Sequence, residues 1–497
     1  MKEIPDFLKD NKNNENHSGG GKKSRGRSRR KNPEQHKSPV RYILVFLLLA
    51  ACISGACIFF FKPDAVSRIA GSFTRFASGF FDASVYDDND SPSASPDYGT
   101  ADAASNTVNT NTDASQPDSG ASDNSGTGSD SSSAYTDSDG IPDSAEDTFG
   151  KYTDLLNDPE RMAAENCYPL DDGGDGVITL RFAGDVLLDD SYAIAAYQRE
   201  LSGGYIIAEN AFDDTMLSLM RGADIFMLNN EFTYTLRGEP TPEKQFTFRA
   251  FPADVSLLND IGTDIVTLAN NHAYDYGEIS LIDSMDTLKN AGIAYAGAGR
   301  NIDEASSPVY FVNDDVRIAI IASTQIERMP NPDTKGATAD APGVFRSMDL
   351  AELTAAINEA KEVSDYVIVF THWGTEGAAE PDWSQNEQAP LIAEAGADLI
   401  IGAHPHVLQK IAWQGDTPVF YSLGNYLFNS KTLDTCLAEI NLDSSDGSLL
   451  SVRFIPALQS GCRVTSYEGE EYAAALERMR ALSPEVNIDD EGYVMPK

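Results

Sequence analysis

From about Gly176 onward the sequence predicts an α/β fold, on three observations. Short β-branched or apolar runs alternate with stretches of helical periodicity. Each run ends in polar residues able to do chemistry. Four of the chain's six histidines fall at those ends. The strand-like runs are 177–183, 224–228, 264–268, 316–322, 366–370 and 398–401. Helical patterns at 212–221, 279–290, 350–363 and 385–395 separate several of them. Strand–helix–strand order implies right-handed crossovers and a largely parallel sheet covered by helices. From 418 to 456 strands dominate, which predicts a second, more antiparallel sheet.

The chain has 497 residues, with 37 Lys and Arg against 77 Asp and Glu, unevenly placed. Residues 1–41 hold 12 basic and 5 acidic side chains. Residues 42–61, YILVFLLLAACISGACIFFF, carry no charge, and at about 1.5 Å per residue they span the roughly 30 Å hydrocarbon core as one helix. The basic flank keeps the head cytoplasmic and sends the rest outward, as a single-pass cell-membrane protein with an extracytoplasmic C-terminal domain. That orientation accounts for the basic charge without nucleic acid as a partner. Leu49-Ala50-Ala51-Cys52 resembles a lipoprotein cleavage box, which would make Cys52 the lipidated residue. Apolar sequence continues past Cys52 to Phe61, which favours an uncleaved anchor.

Val66, Ile69, Phe73, Phe76 and Phe80 recur at helical steps, so 62–81 reads as an amphipathic juxtamembrane segment. Residues 82–175 carry 22 acidic and two basic side chains among Ser, Thr, Ala and Gly. So little apolar surface predicts a disordered, self-repelling linker. Within it, Asp137 to Asp143 looks like a clipped calcium repeat, with a solvated linker as the plainer reading. Outside the expected span lie Cys167, Cys436 and Cys462, whose spacing suits no zinc knuckle. An oxidising exterior permits a Cys436–Cys462 disulfide, and a reduced pair is the alternative. A C-terminal helix and tail are expected over 466–497, after a domain at 176–465.

The loops that follow the strands carry the chemistry: Gly184-Asp185, Asn229-Asn230-Glu231, Asn270-Asn271-His272 with Asp275, His372-Trp373-Gly374 with Glu376, and His404-Pro405-His406. Open α/β sheets bind ligands beyond the carboxyl ends of their strands, so these five loops should converge on one crevice. Imidazole with carboxylate suits a divalent transition metal, Mn, Zn or Fe, as one or two ions. Taken singly, Asp185 or Glu231 reads as a helix cap or surface carboxylate, and His372 as a satisfied core histidine. Their joint placement carries the inference. No Gly-rich phosphate loop and no nucleophilic serine elbow is present.

These residues also carry a resemblance. GDVLL at 184–188, NxE at 229–231, ANNHxxDYG at 269–277, HWGxE at 372–376, GAHPHVLQ at 402–409 and YSLGNY at 421–426 resemble the CapA-type poly-γ-glutamate capsule synthesis family. The likeness covers residues 177–460. It implies a calcineurin-like metallophosphoesterase fold, a two-sheet sandwich flanked by helices, and a cell-surface role in making, exporting or anchoring an anionic polymer. Carried over residue by residue, Asp185 holds one metal, Glu231 bridges and Asn271 binds a second metal. His372, His404 and His406 complete the ligands. His272, with Asp275, is the candidate catalytic pair. Leu187 stands where the wider superfamily has a histidine, and Gly377 where a tyrosine is usual.

The leading expectation is a metal-dependent hydrolase acting on a cell-envelope polymer, with that polymer and membrane-embedded synthase components as partners. The alternative is a non-catalytic surface factor that binds or organises the polymer near its synthase. From Gly176 onward the chain holds 49 acidic and 20 basic residues, a charge that must be offset wherever a polyanion docks.

Overall fold

A computed structural model describes residues 150–326 and 334–497. The expected cytoplasmic tail, membrane span, juxtamembrane segment and calcium-like stretch lie outside them. Among the described residues no helix is long and apolar enough to cross a membrane.

Two sheets, of seven and eight strands, carry the fold. In chain order their strands begin with β1 (Cys167–Pro169), β2 (Val177–Val186), β3 (Ile225–Asn230), β4 (Ile265–Thr267) and β5 (Ala294–Ala296). Next come β6 (Val309–Val312), β7 (Arg317–Thr324), β8 (Tyr366–His372), β9 (Leu399–Ala403) and β10 (Ile411–Gln414). The last are β11 (Thr417–Phe420), β12 (Asn425–Leu427), β13 (Leu433–Asp443), β14 (Leu449–Ser460) and β15 (Arg463–Ser466). The seven-stranded sheet runs β1-β6-β7-β8-β9-β11-β10. The eight-stranded sheet runs β15-β14-β13-β2-β3-β4-β5, with β12 beside β2. Each has a parallel centre, β7-β8-β9-β11 in one and β2-β3-β4-β5 in the other.

Side chains alternate across each strand, and that alternation sorts the core into layers. Ile178, Leu180 and Phe182 of β2 meet Ile318, Ile320, Ile368 and Phe370 of β7 and β8 between the sheets. The opposite faces are closed by helices. Phe226, Leu228 and Val266 pack beneath α1 (Asp214–Arg221) and α2 (Glu278–Ala291). Ala319, Ile321, Val367 and Val369 pack beneath α3 (Ala351–Val363) and α4 (Trp383–Glu394). The buried stripes follow from helical spacing: Leu281, Met285 and Leu288 on α2, Leu353, Ile357 and Ala360 on α3. Each such large apolar side chain contributes about 1.5–3 kcal/mol on burial. Asp382 starts α4 with a capping box closed by Gln385, and Gly292 (φ 78°) ends α2.

Two expectations are corrected. The strands after 418 form no separate antiparallel sheet. β13, β14 and β15 extend the eight-stranded sheet antiparallel from β2, while β11 and β10 complete the other. Period-two patterning shows that a strand is buried but not which sheet edge receives it. The ordered fold also begins before Gly176. Short helices at Thr153–Leu156 and Pro159–Ala164 precede β1, which pairs with β6. Leu155, Met162 and Cys167 bury against Val312, and Tyr152 and Lys151 both reach Asp365. A few apolar residues on one face suffice there, although the surrounding composition is acidic.

The C-terminal helix is α5 (Gly469–Leu482), and the expected tail is a hairpin of Val486–Ile488 and Val494–Pro496. Leu476, Met479, Val486 and Val494 join the core between the sheets. Cys436 and Cys462 are free and buried in different clusters, one between the sheets and one beneath the outer helices.

Candidate metal centre

β2, β3 and β4 of one sheet and β8 and β9 of the other deliver their carboxyl ends to a single point. Asp185 lies near the end of β2, Glu231 follows β3, His372 ends β8 and His404 follows β9. Asn271 and His272 stand just beyond β4. Close backbone approach makes this convergence possible. A Cβ at Gly184 would sit 1.9 Å from the Gly424 carbonyl oxygen, and one at Gly402 2.0 Å from that of Tyr421. His404 (φ 97°) and His406 (φ 59°) both hold left-handed backbone, at a cost of about 1–3 kcal/mol each. That strain aims both imidazoles at the same crevice.

The six sequence-predicted ligands are brought together. His406 Nδ1 lies 2.9 Å from Asp185 Oδ2, and its Nε2 lies 3.8 Å from Glu231 Oε1. His372 Nε2 is 3.7 Å from the same oxygen, 2.8 Å from Asn271 Oδ1 and 3.0 Å from His404 Nδ1. Two three-residue groups share Glu231: Asp185 with His406, and His372 with His404. In each group the ligand atoms lie within 4.8 Å of one another. Glu231 is fully buried, and its Oε1 has no hydrogen-bond donor.

Electrostatics sharpen the picture. Burial, then the Asp185 charge, pushes the Glu231 carboxyl well above the usual carboxylate range. Burial and neighbouring imidazoles hold His372 and His404 well below the ordinary histidine value, leaving neutral rings with lone pairs to offer. Burial is the largest single influence on His406 and lowers it, but the hydrogen bond and charge of Asp185, with Glu376 and Asn425, together raise it overall. Lone-pair-bearing oxygens and nitrogens thus crowd together without enough protons among them. A divalent cation is the counter-charge that fits this donor set.

His272 is placed differently. Its Nε2 is 4.0 Å from Glu231 Oε1, while its Nδ1 lies 2.7 Å from Asp275 Oδ2. Phe248 packs on the ring at 4.3 Å between centroids. Burial lowers the His272 value against the opposing pull of Asp275. The Asp275 carboxylate only accepts hydrogen bonds, so the His272 proton sits on Nδ1 and Nε2 faces the centre.

Sequence reasoning gave several neighbours no role in the centre. Asn229 donates to Asp185 Oδ1 (2.7 Å) and Glu231 Oε2 (3.3 Å), and takes Asn270 Nδ2 at 2.9 Å. Asn425 Oδ1 lies 2.9 Å from His406 Nδ1. Both asparagines sit inside the motifs that carried the resemblance. Glu376 forms a further group with His404 and His406. Lys244, whose Nζ is 2.5 Å from Asp275 Oδ1, lies in a loop with no periodic signal. Leu187 is buried in the core beneath the outer helices and offers the centre nothing.

Residues 179–430, which contain all of these centre residues, match the family of bacterial capsule synthesis protein PGA_cap. The chain belongs to this family. Over 277 residues it is 28% identical to PGA biosynthesis protein CapA of Bacillus subtilis (strain 168), covering 54% of this chain and 68% of that one. It is 32% identical to capsule biosynthesis protein CapA of Bacillus anthracis over 216 residues, 42% of this chain and 52% of that one. The chain therefore spans about half the length of that second PGA_cap relative. Among solved structures, a novel phosphatase from Mycoplasma pneumoniae overlaps 57% of this chain and 95% of its own, with 14% identity and a TM-score of 0.37. That likeness is too slight to carry a relationship.

Proposed function

We propose that this protein is a membrane-anchored factor for the synthesis or export of poly-γ-glutamate or a related anionic capsule polymer. In this reading its extracytoplasmic domain is of calcineurin-like metallophosphoesterase type and carries a metal-dependent, hydrolase-like centre. The observation behind the centre is Glu231 Oε1, an oxygen without a donor that faces Nε2 of His372, His406 and His272 at 3.7, 3.8 and 4.0 Å. Asp185, Glu231, Asn271, His372, His404 and His406 would hold one or two ions of Mn, Zn or Fe. When bound, such an ion polarises a phosphoryl or acyl oxygen. His272 moves the proton: Asp275 orients its ring, and Nε2 takes a proton from, or returns one to, the reacting group. Phe248 shields one face of that ring from water.

The uncharged run 42–61 with its basic flank supports anchoring with the N-terminus cytoplasmic. Membrane-embedded synthase components are the natural partners of a factor so placed. The test is elemental analysis of the purified protein, with phosphomonoester, phosphodiester and γ-glutamyl substrates assayed alongside capsule complementation. Stoichiometric Mn, Zn or Fe, lost with His404→Ala together with turnover and capsule, is the expected outcome. Metal and capsule without turnover on any substrate would favour a non-catalytic polymer-binding factor. Full capsule from a metal-free Glu231→Gln protein would sink the proposal.

A further inference from the structure

The three histidine-and-carboxylate groups at the centre are not alike. Two of them share the fully buried Glu231, one through Asp185 and His406, the other through His372 and His404. The third takes one histidine from each, His404 and His406, and adds Glu376. Its ligand atoms also lie within 4.8 Å of one another. Glu376 is exposed, and with Asn271 and His404 it lines a cleft of about 400 Å³. Glu376 thus meets from the solvent side the two histidines that Glu231 meets from within.

The loop that carries Glu376 is tied down on both sides of it. The Gly374 N–H donates to Gln325 Oε1 (3.3 Å), Thr375 Oγ1 to Asp382 Oδ2 (2.8 Å) and the Gly377 N–H to Pro405 O (2.8 Å). The last of these joins the loop directly to the turn that holds His404 and His406. Gly374 (φ 88°) and Gly377 (φ 73°) allow the sharp path, and a Cβ at Gly374 would lie 2.4 Å from Gln385 Oε1. Glu376 therefore swings from a fixed backbone, close to both histidines.

We propose that Glu376 is an exchangeable ligand at the mouth of the centre, closing it from the solvent side and giving way when an oxyanion of the substrate enters. This rests on the metal reading of the centre and adds a selection rule to it. Burial commits Glu231 to its place, since a carboxylate taken out of water needs its counter-charge. An exposed carboxylate is hydrated whether or not it holds an ion, so it leaves at little cost. An incoming phosphate or carboxylate brings the same negative charge and the same acceptor oxygens, and so replaces Glu376 like for like. A neutral group leaves the lost charge uncompensated. The centre should accordingly take substrates whose reacting group is already anionic.

The test is calorimetric titration of the metal-depleted full chain with Mn²⁺, then of the Mn²⁺-loaded protein with inorganic phosphate and with neutral trimethyl phosphate. Glu376→Gln and Glu376→Ala should still load Mn²⁺, about tenfold more weakly, the low end for a group that supports a bound ion. Both should bind phosphate at least about threefold more tightly than the parent, because no competing carboxylate holds its place. Trimethyl phosphate should gain nothing. Glu380→Gln, which removes an exposed carboxylate further along the same loop, should change neither titration. Unchanged Mn²⁺ and phosphate binding in the Glu376 variants would overturn the role of Glu376 and leave the metal centre standing. Complete loss of Mn²⁺ would make Glu376 an obligatory ligand, and weaker phosphate binding would make it an aid to the anion. An equal effect from Glu380→Gln would reduce it to general repulsion. Each of these also sinks the exchange, and a parent that binds no divalent ion would remove the centre and the exchange together.

Discussion

Lys244 Nζ lies 2.5 Å from Asp275 Oδ1, and the two side chains are 3% and 0% exposed. The same ammonium donates to the Asn271 carbonyl oxygen, and the other Asp275 oxygen takes the Phe248 N–H at 2.6 Å. A loop without regular structure is thereby pinned to the back of the centre. Lys244→Met would leave the Asp275 carboxylate buried without its counter-charge, at a cost of about 3–5 kcal/mol. Urea unfolding checks this, and a loss under about 1 kcal/mol would show the pair to be dispensable.

His272 and His404 should separate by assay. His272→Ala removes a group that points at the centre from outside the predicted ligand set. Metal content and folding should stay near normal while turnover falls by about two to four powers of ten. His404→Ala should lower metal content itself, and with it the stability that metal binding lends the folded state. Equal metal loss in both variants would make His272 a ligand.

A protein beginning at Gly176 should be less stable than one beginning at Gly150. The shorter chain lacks β1 and the buried side chains of Leu155 and Met162. At about 1.5–3 kcal/mol each, those two alone predict a loss of about 3–6 kcal/mol. Thermal unfolding of both proteins decides it, and coincident curves would return 150–175 to the linker.

Asp264 predicts a pH dependence. Burial raises its carboxyl to about 6, against the opposing hydrogen bond from Phe226 N. Between the unfolded value of 3.8 and the folded value the native state holds the proton more tightly, so this residue's contribution falls as pH rises across that window. Asp264→Asn keeps an acceptor for Phe226 N and removes the charge. The variant should gain up to about 2–3 kcal/mol over the parent above pH 7 and gain nothing below pH 4. A gain that does not vary with pH would contradict this origin.

Much of the centre was legible because strand ends are legible. His372 and Glu231 follow apolar runs whose termini can be read from periodicity, and parallel strands must present those termini on one side. Asn229 and Asn425 were harder, since asparagine at a strand end reads as a turn residue. Lys244 was invisible, because nothing in an irregular loop signals which side chain folds inward. The early boundary was hidden by composition: Leu155, Met162 and Cys167 are few, and exposed acids outnumber them. Which sheet β13 joins depends on neighbours far along the chain, which period-two patterning does not name.

Asp185 and His406 touch although 221 positions separate them. Asp185 and Glu231 come from one sheet, His372 and His404 from the other, and the chain closes that loop only once both sheets exist. A growing polypeptide holds no pocket of this kind until its last imidazole has emerged and folded back. Loading an ion would then report that the two sheets have come together, and the compartment where they dock would decide which metal is on offer.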